Sequence, residues 1–370
     1  MFSQLWLRGV THPAVVRLYA LEALARRYLR DRRSLVRRGR LNRTAFYERA
    51  WREAASGLRA EVRVVCDGIL EIVRGDARAR VSHNYTTLDD PVTLKVAGNK
   101  PAVYRLLHER GIPTPRFTEF SLPTIERAAD FLHRSNRPCV VKPASGTGAG
   151  QGITTGITRR SQLVRAAAVA AAYGAKLLIE RQVDGDNYRL LYLDGRLLDV
   201  VRRCPPTVTG DGMQTVRQLV RQANARRLRG GWQAAQGPIS CDDDMTRTLD
   251  RQGLSLRSVP QPGRRVAVKT VINDNAADET EPVTGLFGRD TIAAGAAAAA
   301  AVGVRLAGVD VITPDPARPL AEVRGVILEV NTTPGLYHHK RGDLCPVART
   351  ILEAMLDEIP TGRGAVAQVS

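Results

Sequence analysis

Two separated segments, Gly308-Val309-Asp310-Val311-Ile312 and Ile327-Leu328-Glu329-Val330-Asn331-Thr332-Thr333-Pro334-Gly335, constrain the fold more than any other part of the chain. Each is a short apolar run that reads as a strand and delivers acid or amide oxygens at its end. Alternation along a strand sends residues i and i+2 to the same face. Glu329 and Asn331 therefore point together, and Asp310 on a neighbouring strand can join them. Three hard oxygen donors converging on one spot suit Mg2+, which takes a few carboxylates and leaves its remaining positions to phosphate and water. Such a site calls for a phosphate cradle elsewhere in the chain.

The segment from Val140 to Gly152 reads as a strand ending at Lys142, followed by a loop containing Ser145, Gly146, Gly148, Gly150 and Gly152. Glycines let backbone N–H groups approach and wrap an anion, and the lysine adds a point charge. No Gly-Lys-Ser/Thr closes the loop, so it is not a Walker A motif, and on its own it also reads as a flexible linker. Lys100 lies upstream, at the start of a helix that precedes Gly111-Ile112-Pro113. Downstream, the strand Leu177 to Glu180 runs into Arg181-Gln182-Val183-Asp184-Gly185-Asp186-Asn187, which suits an adenine edge or an ordinary hinge.

The net charge is +18, and residues 8–60 hold fourteen Arg against four acids. Only six of the 55 basic residues are Lys. In a chain that writes nearly every cation as Arg, a Lys marks a place where a compact ammonium matters more than a planar fork. The five cysteines are far apart and form no CxxC pair, which argues for free thiols in a reducing cytoplasm and against zinc or a disulfide framework. No signal peptide is evident at the N-terminus. The alanine-rich run Ile292 to Val304 is too short and too weakly apolar to span a bilayer, and is expected as a packed helix.

Helical spacing covers residues 14–59, a strand follows at Val62 to Cys66, and 76–97 reads as loop with a short strand. Helices are expected at Lys100 to Arg110, Pro123 to Arg134, Ser161 to Tyr173, Asp290 to Val302 and Cys345 to Glu358. Asp194-Gly195 between apolar runs predicts a hairpin. Gly210-Asp211-Gly212 is a turn leading to a helix that ends near Arg227, and 228–260 reads as polar and loop-rich. The expected division is an N-terminal helical unit at 1–93, a central lobe at 94–180, a C-terminal lobe at 181–360 and a disordered tail at 361–370.

Taken in order, Asn99-Lys100, Val141-Lys142-Pro143, Glu180 to Gly185, Arg203 to Gly212, Val259-Pro260, Gly308-Val309-Asp310 and Glu329-Val330-Asn331 with Pro334-Gly335 resemble the ATP-grasp superfamily of carboxylate-amine ligases. The likeness is greatest to the ATP-grasp module of cyanophycin synthetase and of bifunctional glutathione synthetase, and covers about Leu94 to Leu356. It implies an α+β fold in which two lobes clasp ATP. By the same resemblance Lys100 and Lys142 contact the phosphates beneath the glycine-rich loop. Glu180, with Arg181 beside it, meets the adenine amino group, and the Val183 backbone meets the ring. Asn187 stands where relatives often place an acid for the ribose. Asp310, Glu329 and Asn331 hold two Mg2+ ions, with Mn2+ an alternative. Relatives often carry an Arg two residues before the metal Asp; here that position is Gly308, so Arg189 or Arg203 must supply the catalytic charge.

The activity so implied is ADP-forming amide-bond synthesis on an amino-acid or peptide carboxylate. Because the chain ends soon after residue 360, a stand-alone ligase is expected, as a homodimer or tetramer. One alternative keeps the fold and stops at phosphorylation of a small anionic substrate. Another assigns nucleic-acid or membrane binding to the basic N-terminus, against which stand the 5% aromatic content and the absence of an RNA-stacking motif. Arg202 and Arg203 also read as a solvated strand end, and His338 and His339 as a surface turn. Asp242-Asp243-Asp244 reads as a solvated loop rather than a metal-ligand run.

Overall fold

The computed structural model describes residues 18–22, 25, 34–147, 150–229, 237–270, 280–342 and 344–358. The N-terminal unit consists of helix α1 (Ser34–Gly57) and an antiparallel meander of β1 (Glu61–Cys66), β2 (Ile69–Arg74) and β3 (Ala77–Val81). Phe46, Tyr47, Trp51 and Ala54 of α1 pack on Ile72, Ala79 and Val81 of the meander and on Ile351 and Leu352 near the end of the chain. Trp51 donates its indole N–H to His83 O at 2.7 Å, so the large ring is buried without an orphaned donor. The helix expected over 14–59 is thus present over 34–57, at 18–22 and at 25; residues 14–17, 23–24 and 26–33 of that span lie outside the described residues.

The segment expected as loop with a short strand also carries helix α2 (Pro91–Ala97). Its cause is local: the Asp90 carboxylate accepts from the N–H groups of Val92 at 2.7 Å and Thr93 at 3.1 Å, and proline occupies the first turn. A boundary at 93/94 therefore cuts through a helix.

Helix α3 (Lys100–Glu109) joins α2 in the core of the later five-stranded sheet, and the central lobe contains β4 (Phe117–Phe120), α4 (Ile125–Arg134), β5 (Cys139–Pro143), β6 (Thr154–Ile157), α5 (Arg160–Ala171) and β7 (Leu177–Arg181). Its sheet has the order β4-β7-β5-β6 with every neighbour antiparallel. Ala128, Leu132, Leu163, Val164 and Ala167 of α4 and α5 cover one face, against Val141, Ile157 and Ile179.

The C-terminal lobe starts with the hairpin β8 (Asp186–Leu193) and β9 (Arg196–Arg203), which turns at Asp194 and Gly195 with φ of 50° and 77°. Positive φ at both central residues is what Asp-Gly predicts for a two-residue turn. An insertion follows, made of β10 (Thr207–Thr209), α6 (Val216–Arg229), α7 (Asp243–Asp250) and β11 (Arg265–Ala267), with a small core of Val208, Leu219, Met245, Leu249 and Val266. Helix α7 falls in the stretch read as loop, and the three aspartates do not form a solvated loop. Asp242 caps α7 by accepting from Met245 N at 3.1 Å, while buried Asp244 accepts from Thr270.

The chain then completes the main sheet with β12 (Thr280–Pro282), α8 (Arg289–Val302), β13 (Leu306–Thr313) and β14 (Val326–Asn331), and closes with α9 (Pro346–Asp357). The strand order is β12-β9-β8-β13-β14, antiparallel throughout. The alanine-rich helix is packed: Ala298, Ala299 and Val302 are buried, and a side chain at Gly295 would overlap the Tyr192 ring, whose hydroxyl donates to Ile292 O at 2.8 Å. Among the described residues no helix is long and apolar enough to cross a membrane.

The two faces of this sheet differ. Leu190, Tyr192, Val309 and Val311 enter the core shared with α3 and α8. Leu191, Leu193 and Leu306 point the other way, against the N-terminal unit. Arg189, Asn187 and Asp310 continue this second face, because alternation along β8 and β13 aligns them with those leucines. One sheet face is thus apolar where the N-terminal unit covers it and polar beyond, where the central lobe approaches.

Candidate active site

Strand register assembles the polar patch. Asp310 lies opposite Glu329 on β14 and opposite Arg189 on β8, and Asn187 lies opposite Arg203 on β9. Arg189 grips both Asp310 oxygens through Nε and Nη2, the second bond at 3.0 Å. Arg203 places Nη2 2.9 Å from Asp310 Oδ2 and donates Nε and Nη2 to Asn187 Oδ1 at 2.8 and 2.6 Å. All three charged groups are buried, so Arg203 is not a solvated strand end. Asn187, expected at the ribose, has its oxygen engaged by Arg203.

The missing side chain at Gly308 has a visible consequence. A Cβ there would stand 3.1 Å from Arg189 Cδ and 3.0 Å from Pro334 Cβ. Arg189 therefore runs across the backbone of residue 308 to reach Asp310. The guanidinium that grips Asp310 thus comes from the neighbouring strand β8.

Burial works against the charge on Asp310, but the guanidiniums of Arg189 and Arg203 outweigh it and hold the carboxyl below its usual range. Burial likewise opposes ionisation of Glu329, as does neighbouring Asp310, yet Lys100 and Lys142 keep it below the usual range. Burial and the proximity of Arg189 lower Arg203, with Asp310 opposing.

The facing side of the cleft supplies lysines. Asn99 caps α3 by accepting from Ala102 N at 3.1 Å, and Lys100 N donates to Ala144 O at 3.0 Å, which stitches the helix start to the beginning of the glycine-rich loop. Lys100 Nζ lies 3.1 Å from Glu329 Oε1, an ion pair between the start of α3 and β14. Lys142 Nζ lies 2.8 Å from Glu180 Oε1 and donates to Tyr104 OH at 3.0 Å; that hydroxyl donates to Glu180 Oε2 at 2.9 Å. Tyr104 was not singled out from the sequence. Its signal was available, four residues after Lys100 on the same helix face.

In the glycine-rich loop Ser145 bridges to Asn99, and Gly146, Gly150 and Gly152 all take positive φ. Gly148 lies outside the described residues. The Arg181 N–H donates to Arg116 O and the Gln182 N–H to Pro138 O, both at 2.9 Å, which fixes the strand exit before Val183. Among the described residues no three His, Cys, Asp or Glu side chains cluster as a metal site. Asp310 and Glu329 still fit Mg2+: they are two directly opposed carboxylates, and Asn331 donates Nδ2 to Gly308 O at 3.3 Å, which leaves its Oδ1 as a third hard donor. Two carboxylates completed by phosphate and water is the usual form of a Mg2+ site.

The turn after β14 is held by the N-terminal unit. Asn84 donates to Thr333 O at 2.5 Å, and Thr333, a β-branched residue at φ 50°, is an uncommon conformation that needs such support. Tyr47 OH accepts from Leu336 N at 3.0 Å. His338 and His339 are consequently buried, not on a surface turn. His339 Nδ1 bonds Asp199 Oδ2 at 2.8 Å, and Arg341 donates to Asp199 Oδ1 at 2.7 Å. Burial, then the charges of Arg189 and Arg203, push His338 well below its usual range.

A two-lobed α+β fold thus sets the opposed acids Asp310 and Glu329 near Lys100 and, from the central lobe, Lys142. The chain belongs to the ATP-grasp carboxylate-amine ligase superfamily. No protein-family model matches it. It is 28% identical to the cyanophycin synthetase of Trichormus variabilis over 307 residues, covering 82% of this chain and 34% of that protein. It is 30% identical to the glutathione biosynthesis bifunctional protein GshAB of Enterococcus faecalis over 294 residues, covering 76% of this chain and 38% of that one. The chain thus spans about a third of the length of these curated relatives. The crystal structure of a bifunctional glutathione synthetase from Pasteurella multocida shares the fold, with a TM-score of 0.53 at 23% identity over 83% of this chain and 44% of that chain.

Proposed function

We propose that the chain is an ATP-dependent, ADP-forming ligase that joins a carboxylate to an amine through an acyl phosphate. The observation that carries this reading is the interlocked set of charges in the cleft: Lys100 with Glu329, Lys142 with Glu180, and Arg189 and Arg203 with Asp310. Before nucleotide arrives, these acids and bases neutralise one another. Lys100 and Lys142 would turn to the phosphate oxygens of ATP, and Asp310 and Glu329 would hold Mg2+.

The chemistry requires such groups. A carboxylate acylates poorly because its leaving group would be oxide. Transfer of the γ-phosphoryl group to its oxygen creates a phosphate leaving group, and an amine then forms the C–N bond as C–O breaks. The first step brings two anions together. Lys100 and Lys142 offset that repulsion at the phosphates, and Mg2+ held by Asp310, Glu329 and Asn331 would neutralise charge on the transferring phosphoryl group. The second step develops an oxyanion, for which Arg203 and Arg189 are fixed donors that need little reorganisation. Water must be kept from the acyl phosphate, and the glycine-rich loop that begins at Ser145 would supply backbone N–H groups on that side of the site.

The test is an array of amino acids and dipeptides assayed for ADP release with Mg-ATP, with products weighed by mass spectrometry. ADP and phosphate should appear in step with an amide product, and only when acid and amine are both present. ADP with a stable phosphorylated product and no need for amine would establish the kinase alternative instead.

A further inference from the structure

Helix α3 faces two ways. Val103 and Leu107 enter the core of the five-stranded sheet, whereas buried Tyr104 turns to the central lobe. Its ring packs on Phe117 of β4 with centroids 5.1 Å apart. Its hydroxyl reaches Lys142 on β5 at 3.0 Å and Glu180 on β7 at 2.9 Å. Val140 is the register partner of Glu180, so Lys142, two residues along β5, shares that face. A helix rooted in one sheet thereby places a hydroxyl between two charges of the other.

The direction of each bond in this triad is determined. An ammonium has donors only, and a carboxylate paired with it has acceptors only. The hydroxyl therefore accepts from Lys142 and gives its single proton to Glu180 Oε2. Burial and the Glu180 charge push the phenol well above its ordinary value, so that proton stays in place. Lys142 also pairs with Glu180 Oε1 at 2.8 Å and stands 5.4 Å from the Tyr104 ring centroid, within cation–π range. The two charged side chains are only 6% and 5% exposed. Separating such a pair leaves buried charges short of partners, which is costly unless other groups take over. Tyr104 meets that need on both sides. The ammonium has three N–H donors, so it can exchange Glu180 for a phosphate oxygen without releasing the hydroxyl, while Glu180 Oε2 keeps the phenol proton.

We infer that Tyr104 is a positioning residue for Lys142: its hydroxyl is the fixed point about which the ammonium turns from Glu180 to the phosphates of a nucleotide, and it holds Glu180 once the lysine has left. The inference rests on the nucleotide reading of the cleft for the identity of the anion. Because α3 packs with the five-stranded sheet and Lys142 stands on the four-stranded one, the same hydroxyl ties the lysine to the side of the cleft that carries Glu329, whose ionised form Lys142 favours.

Tyr104→Phe keeps the ring and removes only the hydroxyl. Binding is measured by isothermal titration with Mg2+ present, without acyl donor or amine, for ATP, inorganic triphosphate and adenosine. ATP and triphosphate should each weaken about tenfold, the scale of one hydrogen bond to a charged group, while adenosine stays within about twofold. In a Lys142→Gln background the same tyrosine substitution should change triphosphate affinity by less than about twofold, because the group it serves is gone. Phe117→Leu loosens the ring packing and leaves the hydroxyl, and should leave the ratio of triphosphate to adenosine affinity unaltered. Equal weakening of all three ligands, the same shift of ratio in Phe117→Leu, unchanged triphosphate affinity in Tyr104→Phe, or a full loss that persists in Lys142→Gln would overturn the inference and leave ATP binding standing. If the wild type binds neither ATP nor triphosphate, the nucleotide reading falls and the inference falls with it.

Discussion

Gly308 shows how one absent side chain sets the chemistry of its neighbours. Because nothing projects from that position, Arg189 crosses it and meets Asp310 as a fork. Gly308→Ala would put a methyl 3.1 Å from Arg189 Cδ and 3.0 Å from Pro334. The arginine must give way, and kcat for ADP release should fall about tenfold, a fraction of the hundredfold or more that losing an oxyanion donor costs. Circular dichroism should meanwhile show a folded protein. His338 supports a second prediction at this scale. Burial and the adjacent guanidiniums disfavour its protonation, so the unfolded chain takes up that proton first as pH falls through about 6.5, the ordinary imidazole value. Stability should therefore be fully present above that pH and decline below it. His338→Gln should flatten the decline in thermal unfolding measured from pH 7.5 to 5.5; an unchanged slope would assign the loss to other groups.

Helix α8 and its strand illustrate how elements approach one another. Gly295 lets the helix backbone settle on the Tyr192 ring, and the tyrosine hydroxyl is satisfied by Ile292 O. Gly295→Val should lower stability by about 1–3 kcal/mol through overpacking, read as a shift in denaturant midpoint, while nucleotide affinity stays unchanged because the contact lies on the sheet face away from the charges. The longer elements were legible because their periodicity accumulates over several turns or an alternating strand: α8, α9, the β8–β9 hairpin, β13 and β14 all sit within a few residues of expectation. Helices α2 and α7 were not, for a shared reason. They have 7 and 8 residues, about two turns, too few for a periodic signal, and what specifies them is a capping aspartate before each. Asp242 was visible as an acid, but its role depends on where the next three N–H groups point.

Across the whole molecule, the N-terminal unit is a structural support for the site. It buries Tyr47 and Trp51 against α9, and through Tyr47 and Asn84 it holds the turn that follows Asn331. Tyr47→Phe keeps the ring and removes the acceptor for the Leu336 N–H. It should cost about 1–2 kcal/mol for a buried donor left unpaired and raise KM for Mg-ATP, because the turn it loosens follows directly on Glu329 and Asn331. A stability loss with unchanged KM would show that the turn is positioned by other contacts. The Lys100–Glu329 pair ties the start of α3 to β14 in the same way.

Alternation over three residues was enough to place Glu329 and Asn331 on one face, and the scarcity of lysine was enough to single out Lys100 and Lys142, since both are properties of neighbours in the chain. Which acid meets which base was not contained there. Lys142 pairs with Glu180 and Lys100 with Glu329, Arg203 turns to Asn187 as well as Asp310, and the two histidines are buried. These outcomes depend on strand order, register and the approach of two lobes more than a hundred residues apart in sequence. Short-range preferences specify what a segment becomes; the partners of its side chains follow from packing, where a one-residue slip of register would send every one of them to the opposite face.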